Sequence, residues 1–229
     1  ASPVIGGARL SGKLGSNYRL GIMSMQTDAN GETPASNFTV ATLQRKILTR
    51  SSLSVFLANK KSGLQDNSDG SDNSYNQVSG IDFNLASVDN LWTGKAFFHQ
   101  AIYKNAGDNA FAAATSIKYN TGTVSAHMGY SFVGSDFQAD VGFVKRIGFH
   151  RFGSDLEFKF YPEEGNILNH GPAFKFYNVL DETFNTTDRE FELKYMINWL
   201  DRSKLSAELE RGFVKLLAPF DPTNTSGDT

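Results

Sequence analysis

Hydrophobicity alternates with a period of two in segment after segment of this chain, and that pattern limits its fold more than any other feature. A strand sends successive side chains to opposite faces, so each such segment builds one apolar face and one polar face. In 191–199, FELKYMINW, the residues Phe191, Leu193, Tyr195, Ile197 and Trp199 share one parity, and Glu192, Lys194, Met196 and Asn198 share the other. Ile81, Phe83 and Leu85 stand against Asp82 and Asn84. Met128, Tyr130 and Phe132 stand against His127, Gly129 and Ser131, and Leu156, Phe158 and Phe160 against Asp155, Glu157 and Lys159. Leu205, Ala207 and Leu209 oppose Lys204, Ser206, Glu208 and Glu210. No helical periodicity competes with these segments.

The alternation predicts strands at about 4–14, 17–27, 37–48, 51–61, 76–88, 91–104, 109–120, 123–134, 150–161, 170–181, 189–200 and 204–216. Lengths of roughly ten to thirteen residues are about twice those usual in soluble proteins. They match the ~9–11 residues that a tilted strand needs to cross a bilayer. Composition agrees. Phe (19) and Gly (21) are abundant and Pro (6) is scarce, as long paired strands require, because proline cannot donate to a ladder. No apolar run approaches the roughly 18 residues of a membrane helix, a test that says nothing of membrane strands.

The connections alternate in length. LGSN (14–17), TRS (49–51), VDNL (88–91), NTGT (120–123) and LDRSK (200–204) are tight, and longer or looser segments lie between them. FQADVGFVK (137–145) resembles a strand, yet counting it as one inverts the alternation downstream. We therefore expect an outer loop at 135–149, folded inward, beside outer loops near 28–36, 62–75, 182–188 and 217–229. Tyr18, Trp92, Tyr119, Tyr161 and Trp199 cluster near the tight connections, as a membrane-interface girdle of aromatics would. The reading is an all-β, antiparallel up-and-down transmembrane β-barrel of about 12 visible strands in a single domain, 1–229. If the tight turns are periplasmic, the chain begins and ends on the outer side, which points to an internal part of a larger barrel.

PVIGGARLSGKLGSNYRLGIMSMQT, NFTVATLQRKILTRSSLSVFLANKKS and FQADVGFVKR resemble the C-terminal barrel of an uncharacterised outer-membrane family common in Bacteroidota. In its full-length members a periplasmic, family-9-like carbohydrate-binding module often precedes the barrel. The resemblance covers most of the chain. It implies a bacterial outer-membrane location and supplies no catalytic residues.

The residues themselves suggest no chemistry. The four histidines, His99, His127, His150 and His170, lack metal-ligand spacing. No nucleophile, phosphate-loop or dinucleotide motif is present. The net charge of -2 gives no case for nucleic acid. Asp66, Asp69 and Asp72 around Gly70 are the one candidate for Ca²⁺, without the EF-hand spacing. No other cofactor is expected. The predicted lumen-lining residues are Asp82, Asn84, His127, Glu157, Lys159, Glu190, Glu192, Lys194, Glu208 and Glu210, with Arg9, Lys13, Arg19, Arg45 and Lys118 adding positive charge. The predicted lipid-facing residues are Ile81, Phe83, Leu85, Phe158, Phe191, Leu193, Tyr195, Ile197 and Trp199. The function expected is that of a non-enzymatic, porin-like channel, transport component or scaffold. Its partners would be outer-membrane lipid or lipopolysaccharide and other outer-membrane proteins or lipoproteins. The alternative is a soluble β-sandwich or small barrel binding a carbohydrate or other ligand.

Overall fold

The computed structural model describes residues 2–31, 33–63 and 75–216. It contains twelve strands: β1 (Val4–Leu14), β2 (Tyr18–Thr27), β3 (Ser36–Ile47), β4 (Ser51–Ser62), β5 (Tyr75–Ala86), β6 (Trp92–Tyr103), β7 (Phe111–Asn120), β8 (Val124–Val133), β9 (Phe149–Phe158), β10 (Ile167–Asp181), β11 (Thr186–Trp199) and β12 (Lys204–Val214). They form one sheet in sequence order, each pairing antiparallel with the next. The sheet is not closed: β1 and β12 make no contact.

Strand limits follow the alternation to within two residues, with three larger differences. β9 ends at Phe158 rather than at 161. β10 starts at Ile167, three residues before the expected 170, because Leu168 bulges between paired neighbours and lets the ladder run on to Trp199. β11 starts at Thr186, so the connection expected at 182–188 shrinks to 182–185. There one Asp181 carboxylate oxygen accepts from the backbone N–H of Thr183 and Asn185 and from the Thr183 hydroxyl, at 3.0, 2.9 and 2.7 Å. A side chain that satisfies three donors replaces a longer loop.

Segment 134–148 is irregular and lies across one face of the sheet, which we call the inner face. Phe137, 8% exposed, inserts among Val78, Ala101 and Ala112 of that face, with Phe56, Phe97 and Tyr103 around it. The buried Asn76 amide donates to Gln138 O, and its oxygen accepts from Asp140 N–H, both at 3.0 Å. The Tyr103 hydroxyl donates to Asp136 O at 2.6 Å. Lys60 Nζ meets Asp140 at 3.0 Å, and Arg146 meets Asp188 at 2.7 Å and Thr187 Oγ1 at 2.8 Å. These contacts tie the segment to β4, β5, β6 and β11. They also form the only apolar cluster of buried residues among those described.

The register is oblique. A hydrogen-bonded row starts at Tyr18, at the tight-turn end of β2. It passes through Arg45, Leu53, Phe83, Ala96, Thr115, Tyr130, Phe152 and Asn178 to Arg189 on β11. Arg189 lies ten residues from Trp199, where β11 meets its own tight turn. The row therefore climbs about ten residues over nine strand spacings. At ~3.4 Å per residue and ~4.8 Å between strands, that is a slope of about 38°. Strands in closed barrels tilt by about 35–45° for the same geometric reason.

Candidate functional site

The two faces differ in chemistry. The register puts Ile81, Phe83, Leu85, Phe158, Phe191, Leu193, Tyr195, Ile197 and Trp199 on the outer face. It puts Asp82, Asn84, His127, Glu157, Glu190, Glu192, Lys194, Glu208 and Glu210 on the inner face. Lys159, one residue past β9, joins Glu157 at 3.3 Å. The register fixes the face each residue occupies.

No second layer covers the outer face among the described residues. Ile81, Phe98 and Met128 are 52%, 49% and 66% exposed. The Lys and Arg side chains on this face within strands are Arg45, Lys61, Arg189 and Arg211, and each lies within three residues of a strand end. Arg45, expected on the charged wall, is therefore outside it. It pairs with Tyr18 and Leu53 on the outer face, its guanidinium 5.5 Å from the Tyr18 ring centre. The alternation of β3 is mixed on both parities, so the segment alone did not assign Arg45. Tyr18, Trp92, Tyr119 and Trp199 all stand at the tight-turn ends. Trp92 and Tyr119 pack at 4.7 Å, and the Tyr161 hydroxyl caps Gly122 O at 3.0 Å. Toward the other end, the outer face of β2 and β3 is polar. Ser24 and Thr39 bond at 3.2 Å, and Asn37 reaches Gln26 at 3.3 Å, so these side chains satisfy one another.

The inner face carries a charged row. Lys118, His127, Asp155, Lys175, Glu192 and Glu210 are successive register partners from β7 to β12. Along and beside it run short ion pairs: His127–Asp155 at 3.0 Å, Lys175–Glu190 at 2.8 Å, Lys175–Glu192 at 3.6 Å and Lys194–Glu208 at 2.9 Å. Of the carboxylates that alternation singled out, Glu157, Glu190, Glu192 and Glu208 thus sit beside lysines and Asp82 beside His99. Glu192 stands opposite Glu210, with Lys175 between Glu190 and Glu192.

Above this row the floor drops. Gly129 and Gly153 are direct partners, and a Cβ at Gly153 would meet nothing within 4 Å. The result is a trough of about 400 Å³ walled by Lys95, Phe97, His127, Arg151, Lys175 and Tyr177. The Arg151 guanidinium lies 5.3 Å from the Tyr177 ring, and Lys95 lies 5.9 Å from Phe97. Lys95, Arg151, Lys175 and Tyr177 were not singled out in the sequence. The parity of AFKFYNV, read like that of FELKYMINW, would have placed Lys175 and Tyr177 on the polar face. On the same wall His99 stacks on Phe97 at 4.3 Å, meets Phe56 edge-on at 4.7 Å and reaches Asp82 at 3.3 Å. A Cβ at Gly80 would come within 2.5 Å of the His99 ring, so glycine is what lets the imidazole lie flat on the sheet.

The remaining histidines are on the outer face, bonded to tyrosine hydroxyls: His150 to Tyr130 at 2.8 Å and His170 to Tyr195 at 2.6 Å. The Ca²⁺ candidate Asp66, Asp69 and Asp72 lies outside the described residues. No group of three metal-ligating side chains occurs among the described ones. Comparison with protein-family models, curated proteins and solved structures finds no match to this chain.

Proposed function

We propose that this sheet is the wall of a bacterial outer-membrane β-barrel, its outer face against lipid and its inner face lining a hydrated lumen that segment 134–148 narrows. The protein acts as a passive channel or transport component, or as a scaffold for other outer-membrane proteins or lipoproteins, with no bond made or broken. The oblique register carries the reading. The tight-turn ends, marked by Tyr18, Trp92, Tyr119 and Trp199, line up only when the strands are tilted by about 38°. At that tilt the outer-facing residues from Phe191 to Trp199, none of them charged, span ~21 Å of height, close to the ~25 Å apolar band of such barrels.

Lipid contact explains why large apolar side chains stand uncovered on one face, at a scale that soluble monomers avoid. It also requires the free edges of β1 and β12 to be paired, directly or through further strands. An unpaired backbone group in hydrocarbon costs several kcal/mol. The resemblance to the Bacteroidota barrel family fits this account and names no solute.

Extraction tests the proposal. After alkaline washing the protein should stay with the membrane and should need detergent to leave it. Release as a soluble monomer without detergent would remove the membrane reading and return the sheet to a soluble ligand-binding role.

A further inference from the structure

Charge is unevenly used on the inner face. Across β8 to β12 its carboxylates are largely consumed by neighbours: Asp155 by His127, Glu157 by Lys159, Glu190 and Glu192 by Lys175, Glu208 by Lys194 and Asp188 by Arg146. Across β1 to β7 the same face carries seven cations: Lys60 pairs with Asp140, and Arg9, Lys13, Arg19, Lys46, Lys95 and Lys118 have no described carboxylate within ion-pair distance. Asp82, the one carboxylate on these strands, is engaged by His99. In the trough, which Asp155 also lines, Lys95 and Arg151 lie over aromatic rings with no carboxylate within ion-pair distance, and Arg151 acts on Glu190 only at longer range. The chain as a whole has a formal charge of -2, so this excess is a property of the wall, with acidic residues displaced to connections such as Asp89, Glu163, Glu164 and Asp201.

We infer that the wall selects anionic solutes and holds them in the trough between Lys95 and Arg151. The inference rests on the channel reading and adds the class of solute to it. Unpaired cations lining a confined path attract anions and repel cations, whereas paired charges largely cancel at a distance. The aromatic supports keep both cations extended over the trough, and its volume of about 400 Å³ is in the range that takes a small organic molecule. A small organic acid combines that size with the charge the walls favour.

The test is the reversal potential of the protein extracted from the outer membrane in detergent and inserted in a planar bilayer, across a potassium chloride gradient at an ionic strength near 0.1 M so that screening stays moderate. Chloride should permeate several-fold better than potassium. The doubly neutralised variant K95Q/R151Q should bring the ratio down toward one. E210Q, which removes a carboxylate without a cationic partner, should raise the ratio. Equal or greater potassium permeability overturns the inference while leaving a channel. An anion preference that K95Q/R151Q does not change overturns the assignment to the trough. Absence of any conductance overturns the channel reading and this inference with it. Heat-modifiable gel mobility of each variant shows that it has folded, so a changed ratio is not a loss of structure.

Discussion

Replacing Leu193 with arginine should cost about 2–4 kcal/mol of folding stability in a bilayer. Leu193 lies six residues from Trp199 on β11. At ~3.4 Å per residue and a tilt of about 38°, it stands ~16 Å above the Trp199 level, near the middle of a hydrocarbon layer ~30 Å thick. Its register neighbours Phe174 and Leu209 offer no charge partner. Ile197, two residues from Trp199, stands only ~5 Å above that level, where arginine costs about 0–1 kcal/mol because its stem reaches the interface. Glu192 is on the other face, with Lys175 at 3.6 Å and Glu210 opposite. Glu192→Arg exchanges one solvated ion pair for another and should cost less than about 1 kcal/mol. Urea titrations of the protein refolded in phosphatidylcholine vesicles, followed by tryptophan fluorescence and gel mobility, read all three. The expected order of cost is Leu193→Arg well above Ile197→Arg and Glu192→Arg. Equal costs at Leu193 and Ile197 would refute the depth argument, since a protein core on that face has no such gradient.

Three further outcomes follow from the inner segment and the turns. Phe137→Ala should remove about 2–3 kcal/mol from the docking of 134–148, because an almost fully buried ring leaves the contact with Val78, Ala101 and Ala112; faster hydrogen exchange confined to that segment and its anchors is the readout. Asp140 is pushed up by burial, but hydrogen bonds from Gln138 and Lys60 outweigh this and hold its carboxyl below the ordinary 3.8. Its contribution to docking is therefore complete above that value and fades as pH falls below it, so proteolysis at 134–148 should rise below about pH 4 and stay flat from pH 5 to 8. Leu48 sits at φ 51° in a tight turn and is exposed; Leu48→Gly should stabilise the fold by about 1 kcal/mol in the urea titration by relieving the left-handed backbone.

Strand positions were legible because most strands keep charge off their outer parity except within three residues of an end, and FELKYMINW displays that rule over nine residues. Segment 137–145 was harder. Phe137 and Ala139 alternate like a strand because they too face apolar groups, in a loop rather than a ladder. The lengths of the connections separated the two cases. Arg45 escaped because neither parity of β3 is cleanly apolar. The trough escaped because it depends on register: Gly129 and Gly153 are distant in sequence and deepen the wall only when they pair. Ion pairing was hidden for the same reason, since Lys175 reaches Glu190 and Glu192 across a strand boundary.

The chain has no cysteine, so single cysteines report their own surroundings, and this gives the most direct test of which face meets lipid. Leu193→Cys, Glu192→Cys and Lys194→Cys, each refolded in vesicles, should be probed with a membrane-impermeant maleimide on both sides. The account predicts rapid labelling at 192 and 194 and protection at 193, with protection lost when the protein is unfolded in urea. Labelling of all three at similar rates would contradict a lipid-facing outer wall.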